Sequence, residues 1–124
     1  MGARLFCCII VPMALEDIRQ VRLEKLQKIK DKGINPYPAV SSRTHTIKEA
    51  ILDFDSLAEE AKDITLVGRI MSLRGQGAIL FFDFFDGDGR FQGLFKKDEE
   101  NSEQFAFWNE VVDIGDFVEV SGKL

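Results

Sequence analysis

Residues 79–93 read Ile-Leu-Phe-Phe-Asp-Phe-Phe-Asp-Gly-Asp-Gly-Arg-Phe-Gln-Gly. Phe81, Phe82, Phe84 and Phe85 crowd together, turn residues follow, and a second run carries the polar Gln92. A phenyl ring has no hydrogen-bonding group. Such a stretch can fill a core, or it can present a flat apolar surface on which another flat group stacks. A nucleobase stacked on an exposed ring stabilises a complex by roughly 1–3 kcal/mol. Composition alone favours core packing for all four rings. Strand alternation divides them: Phe81, Asp83 and Phe85 share one face, and Leu80, Phe82 and Phe84 share the other. The second set is the better interior.

Other chemistries have little support. His45 is the only histidine. It stands just before a helix cap, with no nucleophile or acid partner in evidence, and a loop or capping role suits it. Cys7 and Cys8 are adjacent, which argues against a disulfide framework, and no spaced ligand set forms a metal site. Gly75-Gln76-Gly77 is a turn and not a phosphate loop, since no further glycine and no helix follow it.

The elements around the aromatic run are strands. Asp86-Gly87 and Asp88-Gly89 are hairpin signals, because glycine tolerates the positive φ that tight hairpin turns demand. The flanks, residues 79–85 and 90–95, pair across them. A first strand runs over residues 64–74, and Gly68 inside it suggests a bulge or a sharp bend. Residues 96–101 form a charged loop. Residues 103–112 read as a helix with Phe105, Trp108 and Val112 (or Val111) on one side, and a last strand starts at Phe117. Strand, strand, strand, helix, strand is the order of the OB-fold, a five-stranded Greek-key barrel that binds oligonucleotides. Four strands are present, so the expected barrel is incomplete. The fold class is mainly β with helices.

Ahead of the barrel, residues 15–32 carry Leu15, Ile18, Val21 (or Arg22), Leu26 and Ile29 at helical spacing. The other face bears Arg19, Arg22, Lys25, Lys28 and Lys32, which is either a solvated surface or a face laid along a nucleic-acid backbone. Gly33 suits a left-handed helix end, and Pro36 and Pro38 prevent resumption. Thr46-Ile47-Lys48-Glu49 is a capping box opening a short helix. A further short helix, capped by Asp55 or Ser56, reaches about Ala61. The apolar run 5–13 is too short for the roughly 20 residues that span a bilayer. Met13 is a plausible natural start, which makes residues 1–12 an extension. The division expected is 1–14 as an apolar extension, 15–62 as a helical extension and 63–124 as the OB domain. Across all 124 residues the net charge is −5, which argues against non-specific coating of nucleic acid but leaves room for a local site.

Arg22-Leu23-Glu24-Lys25-Leu26, Gly33-Ile34-Asn35-Pro36-Tyr37-Pro38 and Arg43-Thr44-His45-Thr46 resemble the start of bacterial-type lysyl-tRNA synthetases. Val67-Gly68-Arg69-Ile70-Met71-Ser72-Leu73-Arg74, Asp86-Gly87-Asp88-Gly89 and Phe91-Gln92 resemble that family's anticodon-binding OB domain. The likeness covers roughly residues 15–124 in one order. Aspartyl- and asparaginyl-tRNA synthetases share the domain, but the Gly-Ile-Asn-Pro-Tyr-Pro segment points to the lysyl branch.

The resemblance implies roles. Phe81 matches the strand-two phenylalanine that stacks on the central anticodon uracil, Gln92 the glutamine that hydrogen-bonds it, and Arg74 an arginine that contacts the anticodon. Arg69 and Arg90 are implied as supports or backbone contacts. The chemistry is coherent: a ring gives affinity, an amide reads a base edge, and a guanidinium meets a carbonyl or phosphate. One departure is Phe84-Phe85, where the family often has Leu-Arg. The class II catalytic domain, with its ATP, Mg2+ and homodimer interface, has no counterpart here. The resemblance therefore implies a truncated, inactive module that binds the lysine tRNA in the cytoplasm, with no catalytic residue, metal site or cofactor of its own. A general single-strand-binding OB protein is the alternative.

Overall fold

The computed structural model describes residues 14–124. The expectations for Cys7, Cys8, the 5–13 run and Met13 as a start lie outside the described residues. The chain divides after Pro36 into two compact units.

In the first unit, α1 spans Leu15–Asp31. The Ala14 amide donates to the Asp17 carboxylate at 3.3 Å and opens the helix. It ends as Gly33 predicts. Gly33 has φ +75°, its N–H donates to Lys30, and the Ile34 N–H donates to Ile29. These two bonds satisfy carbonyls that the last turn otherwise leaves open. No α1 side chain is buried.

In the second unit, α2 (Ile47–Leu52) and α3 (Phe54–Glu60) precede β1 (Ile64–Gln76), β2 (Ile79–Phe85), β3 (Arg90–Lys96), α4 (Ser102–Val111) and β4 (Phe117–Gly122). The strands form one antiparallel sheet in the order β3-β2-β1-β4. Its order and helix insertion are those expected of an incomplete OB-fold.

Thr46 caps α2 in both directions: its hydroxyl accepts from the Glu49 N–H at 3.1 Å, and the Glu49 carboxylate accepts from the Thr46 N–H at 2.7 Å. Hydrogen bonding of the Glu49 carboxylate to the Thr46 N–H, and then to the Thr46 side chain, holds this carboxyl below its usual range. The start of α3 differs from the expected cap at Asp55 or Ser56. The cap residue is Asp53, without a side-chain bond, because α3 follows α2 after a single residue.

The alternation 80, 82, 84 is the interior. Leu80, Phe82 and Phe84 are buried, and Phe82 and Phe84 join Ile47, Ala50, Ile64, Leu66 and Ile70 in one cluster. Trp108 on α4 lies 4.9 Å from the Phe82 ring centroid, and Phe105 and Trp108 lie edge-on to Phe95. Burial of these rings supplies the main driving force for holding the sheet against α2 and α4.

Gly68 is not a bulge. It stays in register with Val118, and a methyl there would lie 2.9 Å from Cδ2 of Phe84 and 3.0 Å from the Phe85 carbonyl. The glycine is a close approach between β1 and β2. The bulge falls later, where the β1–β2 register shifts between Ile70 and Ser72. Of the two turn glycines in residues 86–89, Gly87 uses positive φ, at +105°. Gly89 instead makes room for Ile47, whose Cγ2 would lie 2.7 Å from an added Cβ.

Asp86 ties these parts together. Its carboxylate accepts from the Asp88 and Gly89 N–H groups within the turn and from the Ile47 N–H at the start of α2. Partial burial pushes this carboxyl up, but the backbone donors outweigh it and hold it below the ordinary aspartate range. The hairpin tip is thereby fixed to α2, and with it the position of β2 and β3.

Candidate nucleic-acid interface

The face of the sheet away from the core holds the residues singled out in the sequence. Phe81 on β2 stands opposite Arg74 on β1 and Leu94 on β3. The Arg74 guanidinium carbon lies 5.9 Å from the Phe81 ring centroid, at the limit of a cation–π contact. Gln92 stands opposite Asp83, one diagonal step from Phe81. Phe81 is half-buried, whereas Arg74 and Gln92 are exposed. Among the described residues the Gln92 amide has no hydrogen-bond partner. Ring, guanidinium and amide thus share one patch, open to solvent.

The bulge makes this possible on β1. Arg69 and Arg74 are five positions apart, so unbroken alternation would put them on opposite faces. The extra residue Met71 resets the phase. Arg69 faces Phe85 before it, and Ser72 and Arg74 face Asp83 and Phe81 after it. All lie on the outer face.

Arg90 is engaged. Its Nη2 sits 3.2 Å from Oδ2 of Asp83, and the Ser72 hydroxyl donates to the same oxygen at 2.9 Å. The pair is largely solvated, so its contribution is small, up to about 1 kcal/mol. Its effect is to orient Asp83 beside Gln92. Sequence reasoning placed Asp83 on this face but gave it and Ser72 no task. The odd spacing of Ser72 from Arg69 conceals their shared face unless the bulge is known. Arg69 lies apart from the Phe81 group, with its guanidinium carbon 4.6 Å over the Phe117 ring centroid.

Among the described residues, no three His, Cys, Asp or Glu side chains gather as a metal-holding group. No described helix is long and apolar enough to cross a membrane.

The fold agrees with known proteins. Residues 64–124 match the tRNA anticodon family model, described as an OB-fold nucleic acid binding domain. The chain is 38% identical over 114 residues to the lysine–tRNA ligase of Thermosipho melanesiensis, covering 89% of this chain and 23% of that protein. It is 36% identical over 113 residues to that of Roseiflexus castenholzii, covering 90% and 23%. Against that of Bacillus subtilis it is 35% identical over 115 residues, covering 89% and 23%. The chain therefore spans about a quarter of the length of the curated relatives it matches. Residues 64–124 are thus similar to the tRNA anticodon family of OB-fold nucleic acid binding domains, and over nearly its whole length the chain is similar to lysine–tRNA ligases.

Proposed function

We propose that this chain is the tRNA anticodon-binding module of a lysine–tRNA ligase. The observation that carries this reading is the grouping of Phe81, Arg74 and Gln92 on one solvent-facing patch of a nucleic-acid-binding fold. Phe81 stacks on the central anticodon uracil. Gln92, with a donor and an acceptor on one planar amide, pairs with that base's edge. Arg74, beside the ring, meets a base carbonyl or phosphate. Asp83, opposite Gln92 in the ladder, takes up the charge of Arg90, which acts as a support.

In the parent enzyme, docking of the anticodon on this patch places the far end of the tRNA for esterification by lysine activated with ATP. ATP, Mg2+ and a homodimer interface belong to that enzyme's catalytic part, and the cytoplasm is where it works.

The test is the affinity of the chain for a lysine-tRNA anticodon stem-loop, set against one with the central U changed, at fixed salt. Selective loss supports the reading. Equal binding of both supports general single-strand binding, against which the net charge of −5 already weighs. Phe81→Ala is expected to weaken the uridine stem-loop by roughly five- to 100-fold and Gln92→Ala by about tenfold, both with an intact fold. Unfolding of Phe81→Ala would mark the ring as structural and sink the assignment.

A further inference from the structure

A second row of cross-strand partners crosses the whole sheet on the same outer face. Arg90 on β3 stands opposite Phe85 on β2, Phe85 opposite Arg69 on β1, and Arg69 opposite Phe117 on β4. Guanidinium and phenyl groups therefore alternate across all four strands. Each of these residues is exposed, Phe85 at 41% and Phe117 at 75%. The Arg69 guanidinium lies against the Phe117 ring, while Asp83 holds Arg90. Exposed rings interleaved with guanidinium planes suit unstacked bases and their phosphates.

We propose that the row Phe85–Arg69–Phe117 is a second stacking subsite, taking a further base of the same single-stranded RNA that occupies Phe81. The inference rests on the nucleic-acid reading of the Phe81 group and deepens it. Phe81 and Phe85 are four residues apart along β2, about 13 Å at the rise of a strand. Stacked nucleotides advance only about 3.4 Å. An RNA strand touching both platforms is thus extended and unstacked between them. Phe85 and Phe117 flank β1, about 10 Å apart at ordinary strand spacing, with Arg69 between them to meet a phosphate or base edge. An apolar protein surface is a poorer match, because covering the row would desolvate two guanidinium groups with only Asp83 among these residues to offset them.

The test measures binding of two oligouridylates, of three and of ten nucleotides, to the whole chain by fluorescence anisotropy at fixed salt. Phe85→Ala and Phe117→Ala are each expected to leave the trimer unaffected and to weaken the decamer by roughly five- to 100-fold. Phe81→Ala weakens both. Arg69→Gln removes the charge while leaving a polar side chain, and is expected to lower the salt slope of decamer binding by about one. Sedimentation and thermal melts of each variant accompany the titrations. If the Phe85 and Phe117 variants bind the decamer as the parent does while Phe81→Ala weakens it, the subsite is refuted and the Phe81 reading stands. Failure of the unaltered chain to bind either oligouridylate overturns both. Unchanged RNA binding with altered self-association means the row meets a second copy of the chain, which also overturns the subsite.

Discussion

Gly93→Ala is expected to be the most damaging single-methyl change in the sheet. Gly93 lies opposite Phe82 in the β2–β3 ladder, between the outward-facing Gln92 and Leu94. An added Cβ would fall onto Cζ and Cε2 of the Phe82 ring and within 2.8 Å of Cε1. That ring is 2% exposed and sits between Phe84, with centroids 5.7 Å apart, and Trp108, at 4.9 Å. It has little room to step aside. Overpacking a filled core costs about 1–3 kcal/mol, and overlap with a ring held on two sides belongs at the upper end. Loss of glycine's freedom in the unfolded chain offsets roughly 0.5 kcal/mol. The net is about 2.5 kcal/mol, a fall in Tm of roughly 10–20 °C for a unit of this size. Urea and thermal unfolding followed by the fluorescence of Trp108, the only tryptophan, measures it. Phe82→Leu provides the control. Alone it leaves a cavity and destabilises; beside Gly93→Ala, the new methyl partly fills that cavity. The double variant should therefore be more stable than the sum of the singles by at least about 1 kcal/mol. A Gly93→Ala protein within about 0.5 kcal/mol of the parent, or strict additivity of the pair, would refute the reasoning.

Three further outcomes are expected. Because the folded-state pKa of Asp86 is lowered, its contribution is fully present above the unfolded value of about 3.9 and is lost as pH falls through the folded one. Asp86→Asn should therefore be less stable at neutral pH, and the two stability curves should converge in acid; a constant difference down to pH 2 argues against the backbone donors as the cause. Thr46→Ala removes the hydroxyl cap of α2 and should lower stability by about 1 kcal/mol in urea unfolding, whereas Thr46→Ser should retain most of it. Finally, β3 and β4 are both edge strands of the sheet. Between them opens a cavity of about 420 Å³ lined by Ile64, Leu66, Phe84, Phe91 and Val120. Sedimentation velocity should show self-association rising with concentration, and a monomer with a sharp cooperative melt at all concentrations would contradict it.

Much of this architecture is local, and local features are legible in a sequence. Alternation in residues 79–85 separated the buried Leu80, Phe82 and Phe84 from the outward Phe81, Asp83 and Phe85, because a strand has no other periodicity. Gly33 and the Thr46–Glu49 box marked their helix ends, since a cap is settled by a few backbone groups next to each other. The strand–strand–strand–helix–strand order indicated the barrel type. The resemblance to the lysyl branch selected Phe81, Gln92 and Arg74.

Tertiary contacts decided the rest. Whether Gly68 and Gly89 serve bends, turns or close approaches depends on Phe84 and Ile47, which are distant in the chain. Asp86 reads as a turn residue, yet it also fastens the hairpin to α2. The bulge at Met71 brought Arg69, Ser72 and Arg74 onto one face, and nothing in the spacing of β1 announces it, because a bulge is set by what the neighbouring strands can pair. The alternating row of Arg90, Phe85, Arg69 and Phe117 is likewise invisible in sequence. Its members come from four strands, and only the registers of three separate pairings align them.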